Sequence, residues 1–209
     1  REQGEPARDL DQTLRIVGEA DAHRALRQLA VGEHHHPARV ALGAHTGDRD
    51  RARAWNDLGS AYQALHRLED AIKAFRRAIE LDAHFTTPWH KLGDVYRELR
   101  YPEDAIEAYR QAIALEPGDA VSWNSLGDVF RGLERFDEAI AAYQQALNCD
   151  PGYAWPYHGL GLIYQQQDRY ELATPAFHQA ARLHHRGEDR AVAWKQLGDI
   201  YRSLERFEE

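Results

Sequence analysis

The side chains best able to do chemistry in this 209-residue sequence are its 12 histidines and its single cysteine, Cys149. Two runs, His34-His35-His36 and His184-His185, raise the question of a metal site. Adjacent residues of a helix do not face each other, so neither run presents two ligands on one face. The sequence also has no His-Glu-x-x-His pattern, and one cysteine is too few for a standard zinc motif. We therefore expect no metal and no cofactor, with both histidine runs in solvated helix ends or loops.

Catalytic motifs are equally scarce in the sequence. There is no glycine-rich phosphate loop and no Gly-x-Ser-x-Gly nucleophile elbow. Cys149 precedes Asp150-Pro151 without a neighbouring histidine that could act as its base. We therefore predict that the protein is not an enzyme and that Cys149 has no catalytic role.

Charge and composition exclude further classes of protein. The sequence carries 26 basic and 34 acidic side chains, a net charge of -8, which disfavours binding to a nucleic-acid backbone. No apolar run approaches the roughly 18 residues that a membrane helix needs. We expect no nucleic-acid or membrane partner and take the cytoplasm as the default location. The preference for Arg over Lys is typical of a GC-rich genome and suggests a bacterial source.

A repeat in the sequence indicates the structural elements that position these residues. Trp55, Trp89 and Trp123 are 34 residues apart, Tyr157 follows at the same interval, and Trp194 comes 37 residues later. Each of these aromatic residues is followed by Leu-Gly and then by a second aromatic residue. A second pattern of Ala, aromatic and Ala follows in the first four copies, namely Ala71-Phe75-Ala78, Ala105-Tyr109-Ala112, Ala139-Tyr143-Ala146 and Ala173-Phe177-Ala180.

Both patterns have helical spacing. The first places an aromatic residue, Leu and a second aromatic residue at i, i+3 and i+7, and the second places Ala, an aromatic residue and Ala at i, i+4 and i+7. Glycine costs about 1 kcal/mol in a helix interior relative to alanine, which makes sense where another helix must approach closely. Short turns such as Arg100-Tyr101-Pro102 separate the two helices. The spacing therefore predicts antiparallel helix pairs that stack into a right-handed α-solenoid.

This combination of residues at a period of 34 resembles the tetratricopeptide repeat (TPR) family. The resemblance implies an all-α fold and divides the chain into an N-terminal helical segment, four repeats and the first helix of a fifth. The predicted bounds are 1–51 for the N-terminal segment, 52–85, 86–119, 120–153 and 154–190 for the repeats, the last with a three-residue insertion, and 191–209 for the fifth.

The two ends depart from the pattern. Pro37 is expected to open a short helix that ends near Ala44, and residues 1–51 are either a degenerate repeat or a separate capping or linking element. The sequence has no Met and stops before the second helix of the fifth repeat, so we expect it to be part of a longer protein. Within the fourth repeat, Pro175 predicts either a helix that starts late, capped by Thr174, or a bend.

The resemblance implies a concave groove that is lined by the first helix of each repeat and holds peptides or proteins. First-helix positions that the core does not use lie two residues before the opening aromatic residue and one, five and eight residues after it. The candidate partner-binding residues at these positions are Asn56, His90, Asp94, Arg97, Val121, Asn124, Asp128, Arg131, Trp155, His158, Leu162, Gln165, Lys195, Asp199 and Arg202.

Two features of this set lead to hypotheses. Three Asp-Arg pairs are spaced i, i+3, namely Asp94 and Arg97, Asp128 and Arg131, and Asp199 and Arg202. The two charges of each pair either neutralise each other in a solvated groove or bind an extended peptide. In the fourth repeat Leu162 replaces the acidic residue, and Trp155 is either an interface anchor or packs against Tyr153 or the adjacent helix. We expect substitutions at Trp155 and Leu162 to abolish partner binding while leaving the melting temperature nearly unchanged.

Some TPR proteins bind the carboxylate tails of chaperones through a clamp of Lys, Asn and Arg. The matching positions hold Ser60, Asp94, Val121, Ser125 and Asp128, so we expect this chain not to bind such tails.

We predict an interaction module that recognises a peptide or protein segment in its concave face. An alternative keeps the fold and makes the chain the sensor or regulatory arm of a larger signalling protein, linked to an ATPase or a protease. The C-terminal end also offers a route to self-association.

Overall fold

The structure is a computed structural model and describes residues 40–184 and 187–205. Within these ranges the chain consists of α-helices and connecting turns, with no strand. The predicted all-α fold class is therefore confirmed. The chain divides into two compact units, unit 1 with residues 1–115 and unit 2 with residues 116–209.

The described part of unit 1, residues 40–115, contains two helix pairs. The helices are α1 (Val40–Ala64), α2 (Leu68–Leu81), α3 (Thr86–Glu98) and α4 (Pro102–Leu115). A three-residue turn joins α1 to α2 and another joins α3 to α4, so the two helices of each pair run antiparallel and pack together. The α3 helix also packs against both α1 and α2.

Unit 2 repeats this arrangement and adds one helix. The helices are α5 (Ala120–Gly132), α6 (Phe136–Cys149), α7 (Ala154–Gln166), α8 (Tyr170–Leu183) and α9 (Gly187–Glu205). The pairs are α5 with α6 and α7 with α8, while α9 packs against α8. The first helices α5 and α7 are also in contact, which brings equivalent positions of successive repeats side by side.

Local sequence signals explain where the helices begin. The second helices carry acidic residues in their first turns, such as Glu103 and Asp104 of α4, where the positive end of the helix dipole stabilises them. Pro102 is the first residue of α4, the position that tolerates a missing N–H. At the start of α5, the side chain of Asp119 accepts a hydrogen bond from the backbone N–H of Val121 at 3.0 Å, as an N-cap does.

The predicted stripe of the second helices lies in the core. Every Ala and aromatic residue of the four Ala-aromatic-Ala patterns is fully buried. The opening aromatic residues of the first helices are only partly buried, and Trp194 on α9 is exposed. The aromatic ring of each second helix therefore forms the centre of its repeat, and the opening aromatic residue lies nearer the surface.

The Leu-Gly glycines let the two helices of each pair approach closely. A Cβ atom built on Gly93 would lie 2.6 Å from the ring of Tyr109, and one on Gly127 would lie 2.7 Å from the ring of Tyr143. Such distances are well inside van der Waals contact, so a side chain at either position would displace a buried ring. The close helix approach expected at these glycines is confirmed.

Two local expectations are wrong. The short helix expected to end near Ala44 is not separate, because α1 runs without a break from Val40 to Ala64 and includes Gly47. The α8 helix does not start late at Thr174, because it begins at Tyr170 and contains Pro175 inside it. Both helices continue because a single Gly or an early Pro costs less than the packing of the rest of the helix contributes.

Each turn between the helices of a pair contains a residue with a left-handed backbone. The φ angles are 57° at His66, 61° at Arg100, 58° at Glu134 and 55° at Asp168. These equivalent positions favour glycine, because the Cβ of any other L-residue crowds the backbone there. Each of the four turns is therefore less stable than a glycine would make it.

Replacing Glu134 by glycine should raise the free energy of unfolding by roughly 0.5 to 1 kcal/mol, because it relieves the left-handed strain. The matched control is Gln145→Gly on the exposed face of α6, which should lower stability by roughly the same amount. Urea denaturation followed by circular dichroism measures both. If the two variants destabilise the protein equally, the left-handed backbone at Glu134 is not strained.

Candidate functional site

The candidate residues of unit 1 lie on α1 and α3. Asn56 is buried, and its Oδ1 has no hydrogen-bonding partner within the described ranges. His90 lies beside Asp94, with 3.5 Å between Nε2 and Oδ2, and its ring packs against that of Tyr109. Arg97 is half exposed and lies 3.8 Å from the carboxylate of Asp94. Asp94 is therefore the centre of a small polar cluster.

Buried tyrosines hold the aspartates of the predicted charge pairs. The phenol of Tyr109 donates a hydrogen bond to Asp94 at 2.8 Å, and the phenol of Tyr143 donates one to Asp128 at 2.7 Å. Burial, and then the charge of Asp128, raises the pKa of Tyr143 well above its ordinary value. These aspartates are thus acceptors for buried phenols as well as members of ion pairs.

The first and fourth repeats have neither the aspartate nor the tyrosine hydroxyl of this hydrogen bond. Where Leu162 replaces the aspartate on α7, the second helix has Phe177, which needs no acceptor. In the first repeat Ser60 is paired with Phe75 in the same way, and the hydroxyl of Ser60 donates to the carbonyl of Asn56 at 3.1 Å. The aspartate is therefore present in the repeats whose buried ring carries a hydroxyl group.

In unit 2 the carboxylate of Asp128 meets three donors. Besides the phenol of Tyr143, it accepts a hydrogen bond from Asn124 Nδ2 at 3.3 Å, and Arg131 Nη2 lies 3.8 Å away. Arg131 also donates through Nε to the phenol oxygen at 3.3 Å. Asn124 is itself buried, and its Oδ1 has no partner in the part of the chain that the structure describes.

An exposed apolar row accompanies these polar groups. Val121, Trp155 and Val192 occupy the same repeat position on α5, α7 and α9 and are 46%, 42% and 44% exposed. The equivalent residues of unit 1 are Arg53 and Thr87. The apolar row is thus a property of unit 2.

Trp155 packs edge-on against two histidines. Its ring centre lies 4.9 Å from that of His184 and 6.0 Å from that of His158, and the ring of His158 in turn meets Phe177. The expectation that His184 is solvated is wrong, because its side chain is only 5% exposed. His184 directly follows α8, whose end lies beside the start of α7 in the antiparallel pair. His185 and His34-His35-His36 lie outside the described residues.

His158 is 9% exposed, and its Nδ1 has no hydrogen-bonding partner among the described residues. Burial lowers the pKa of His158 below its ordinary value, and the nearby His184 and Arg131 lower it further. The surroundings therefore favour the neutral imidazole, and its unpartnered Nδ1 is buried away from the surface.

The remaining candidates have different surroundings. Leu162 is partly buried against a core cluster that includes Phe177 and Leu197, so Leu162→Asp would also destabilise the core. Gln165 is partly buried on α7. Trp155 is therefore the cleaner position at which to test partner binding.

On α9, Lys195 is exposed and Asp199 forms an ion pair with Arg202. The same helix exposes Trp194, Tyr201 and Leu204. Self-association through this end stays a prediction.

The described residues offer few groups for metal binding or catalysis. Within residues 40–184 and 187–205, no three His, Cys, Asp or Glu side chains are close enough together to hold a metal ion. Cys149 is exposed, and its thiol donates to the carbonyl of Pro117 at 3.4 Å. None of the described helices is both long enough and apolar enough to span a membrane.

Comparison with known families supports the sequence resemblance directly. Profiles described as tetratricopeptide repeat match residues 52–85, 87–119 and 156–183, and one described as TPR repeat matches residues 127–168. The chain belongs to the tetratricopeptide repeat family. No curated protein matches the sequence.

Several solved structures are similar to this chain. The crystal structure of MamA is 26% identical, covers 66% of this chain and 81% of its own, and has a TM-score of 0.60. The pilF protein of Pseudomonas aeruginosa is 26% identical over 75% of this chain and 71% of its own, with a TM-score of 0.67. These neighbours are TPR proteins, so the fold class is that of a TPR solenoid.

A third similar structure is the first TPR of Spaghetti (RPAP3) bound to the HSP90 peptide SRMEEVD. It is 18% identical over 57% of this chain and 95% of its own, with a TM-score of 0.55, and shows the fold alone. The repeats and these neighbours support a protein–protein interaction module, and such repeats are typically non-catalytic.

Proposed function

We propose that unit 2 binds an extended segment of a partner protein along the first helices α5 and α7. The observation that carries this proposal is the row of exposed apolar side chains on α5 and α7, which lies beside two buried polar atoms without a hydrogen-bonding partner. Asn124 Oδ1 and His158 Nδ1 are the polar atoms, and Val121 and Trp155 are the apolar residues.

The exposed apolar side chains gain from a ligand that covers them. Burial of apolar surface favours association by roughly 25 cal/mol per Å² removed from water. An extended chain presents an N–H at each residue and turns alternate side chains to opposite sides. Such a segment can place apolar side chains against Val121 and Trp155 while its other side chains face solvent.

One of the similar structures supports a peptide as ligand. The Spaghetti (RPAP3) domain is a TPR bound to a peptide. The chaperone-tail clamp does not carry over, because Asp94 and Asp128 stand at positions where that clamp needs cations or amides. The segment that we propose therefore meets a different set of side chains.

A selection of random displayed decapeptides on the purified chain tests the proposal, with affinities of the selected peptides measured by fluorescence anisotropy. Trp155→Ala should weaken binding at least tenfold, because an exposed Trp in a binding site is commonly an anchor. Because the indole also packs on His158 and His184, melting curves of the variant are needed to show that it is folded at the temperature of the binding assay.

Tyr101→Ala is the matched control, because it also removes an exposed aromatic side chain but lies outside unit 2. It should leave peptide binding unchanged. The proposal fails if no peptide is selected or if both variants bind the selected peptides as well as the unmodified chain does.

A further inference from the structure

The Leu-Gly glycine of α9 has an open recess that the four repeats fill. A Cβ atom built on Gly198 meets no atom of the described residues within 4 Å. In each repeat, a Cβ atom built on the equivalent glycine would lie 2.6 or 2.7 Å from the aromatic ring of the second helix. Trp194 and Tyr201, four residues before Gly198 and three after it, lie on the same helix face and are about half exposed. This face of α9 therefore has the shape of a helix contact that no described helix makes.

A groove between α8 and α9 adjoins this recess. The ring of His178 on α8 packs against Trp194, with 5.5 Å between ring centres, and its Nε2 lies 3.5 Å from the hydroxyl oxygen of Tyr201. The groove has a volume of about 790 Å³, and one end is lined by Arg182 in the last turn of α8 and Arg190 in the first turn of α9. None of the described side chains that line it is acidic. The groove thus combines an aromatic wall with a cationic end.

We propose that this surface, formed by α8 and α9, binds a helix of a partner protein that lies antiparallel to α9. The partner helix carries a tyrosine with alanine four residues before it and three residues after it, and an acidic residue near its C-terminal end. The tyrosine ring would cover Gly198 as the second-helix rings cover the equivalent glycines. The two alanines would allow close approach, as they do in the buried Ala-aromatic-Ala patterns of the four repeats.

Asp199 favours tyrosine over phenylalanine in the docked helix. It stands at the repeat position of Asp94 and Asp128, which accept hydrogen bonds from second-helix tyrosines at 2.8 and 2.7 Å. Where that position holds Ser60 or Leu162, the second helix has phenylalanine instead. The ion pair of Asp199 with the arginine three residues later leaves room for a phenol, because Asp128 has the same ion pair and still accepts one.

The two arginines give the groove an end that favours an anion. Arg182 is exposed and has no ion-pair partner among the described residues. Arg190 donates to the backbone carbonyl of His184, at 3.1 Å from Nη2, and that carbonyl is a neutral acceptor. A carboxylate placed here would meet two guanidinium groups, whereas a lysine or arginine would be repelled.

The end of a helix docked in the manner of the repeats falls at this place. Within unit 2, the last residue of α6 lies against the turn before α5, because the thiol of Cys149 donates to the carbonyl of Pro117 at 3.4 Å. The last residues of a helix docked on α9 would by analogy lie at the start of α9, beside Arg190. The negative end of its helix dipole and an acidic side chain there would both complement the arginines.

This sequence contains no free helix of the required kind. All four Ala-aromatic-Ala patterns are fully buried within their own repeats. Residues 1–39 contain no Phe, Trp or Tyr, and Phe207 has Ser203, not alanine, four residues before it. A second copy of these 209 residues has the same limitation. The required helix is therefore assigned to a different partner.

A peptide of residues 102–116 is the probe, because it carries the required residues on one helix. It contains Ala105, Tyr109 and Ala112, and it ends at Glu116. Free helices of this length are marginal in water, so a lactam joins two positions on the side opposite the tyrosine, Glu107 and, after Gln111→Lys, position 111.

The labelled peptide should bind the purified chain in fluorescence anisotropy. Replacing Tyr109 in the peptide by alanine should abolish binding, and replacing it by phenylalanine should weaken binding several-fold through loss of the hydroxyl group. Replacing Glu116 by glutamine should also weaken binding several-fold. Arg182→Gln in the chain should weaken binding of the unchanged peptide and remove most of the difference between the two peptides.

Two further variants of the chain test the recess itself. Gly198→Ala should weaken binding at least tenfold, because its Cβ would meet the docked ring, although the free chain should become more stable. Gly132→Ala is the matched control, since a Cβ built there also meets no atom within 4 Å but the residue ends α5, and it should leave binding unchanged. Asp199→Leu should reverse the preference, so that the phenylalanine peptide binds better than the tyrosine peptide.

Three results would each overturn the proposal. The first is failure of the lactam peptide to bind. The second is a Gly198→Ala variant that binds as tightly as the unmodified chain. The third is a dimer of the chain alone, seen by light scattering and dissociated by Gly198→Ala, because a second copy would then occupy the recess. Unchanged preference for tyrosine in Asp199→Leu would overturn the assignment of the docked residue.

Discussion

Gly127→Ala is expected to lower the free energy of unfolding by about 2 kcal/mol, although alanine is the better helix former by about 1 kcal/mol. The new Cβ would lie 2.7 Å from Cε1 and 2.8 Å from Cδ1 of the Tyr143 ring. That ring is fully buried and its phenol is fixed by Asp128, so it cannot move without disturbing other contacts. Overpacking of this kind typically costs 1–3 kcal/mol, and more where the surroundings are rigid.

The chain provides a control at the same repeat position. Gly198 belongs to the Leu-Gly pair of α9, and a Cβ built there meets no atom within 4 Å. Gly198→Ala should therefore keep the helix-propensity gain and raise stability by up to about 1 kcal/mol. Urea unfolding followed by circular dichroism gives both values. If the two variants change stability in the same direction, close packing is not the reason for the glycine.

Asp128→Leu is expected to cost about 2 kcal/mol, because it removes the acceptor of a buried phenol. The hydroxyl of Tyr143 would then lack its 2.7 Å hydrogen bond, and an unsatisfied buried donor typically costs 1–3 kcal/mol. Asp128→Asn is the control, since an amide oxygen can still accept from the phenol, and it should cost less than the Leu variant.

A second substitution should restore the stability that Asp128→Leu removes. In the double variant Asp128→Leu, Tyr143→Phe the hydroxyl is gone, and the pair matches Leu162 and Phe177 of the next repeat. We expect a coupling energy of about 1 kcal/mol or more in the double-mutant cycle. Additive effects of the two substitutions would show that the hydrogen bond contributes nothing of its own. Thermal and urea unfolding of the four proteins provide the measurement.

The sequence was sufficient to predict the helical core and the repeat. The Ala-aromatic-Ala pattern recurs at a fixed period, and a helix that repeats one apolar stripe has only one face to bury. Residues such as Phe75 and Tyr109 are therefore buried as predicted. Prediction was weaker at single irregular positions, because Gly47 and Pro175 lie inside helices whose packing outweighs their poor propensity.

The candidate site was only partly accessible from the sequence. Helical periodicity placed Asp94 and Asp128 on the first helices, but their hydrogen bonds depend on the direction of a phenol on another helix. The burial of His184 depends on which helix ends meet, and a residue-by-residue pattern does not contain that information. The departure of Trp155 from the repeat is visible in the sequence. Its contacts with two histidines are visible only in the structure.

The aspartate–tyrosine hydrogen bond has a consequence for how such a chain can change in length during evolution. Tyr109 with Asp94, and Tyr143 with Asp128, each join the two helices of a single repeat. Duplication or deletion of a whole repeat therefore carries donor and acceptor together and leaves no buried hydroxyl unsatisfied. Recombination between the two helices of a repeat, in contrast, could join a tyrosine to a leucine and destabilise the product, so viable crossovers should fall between the repeats.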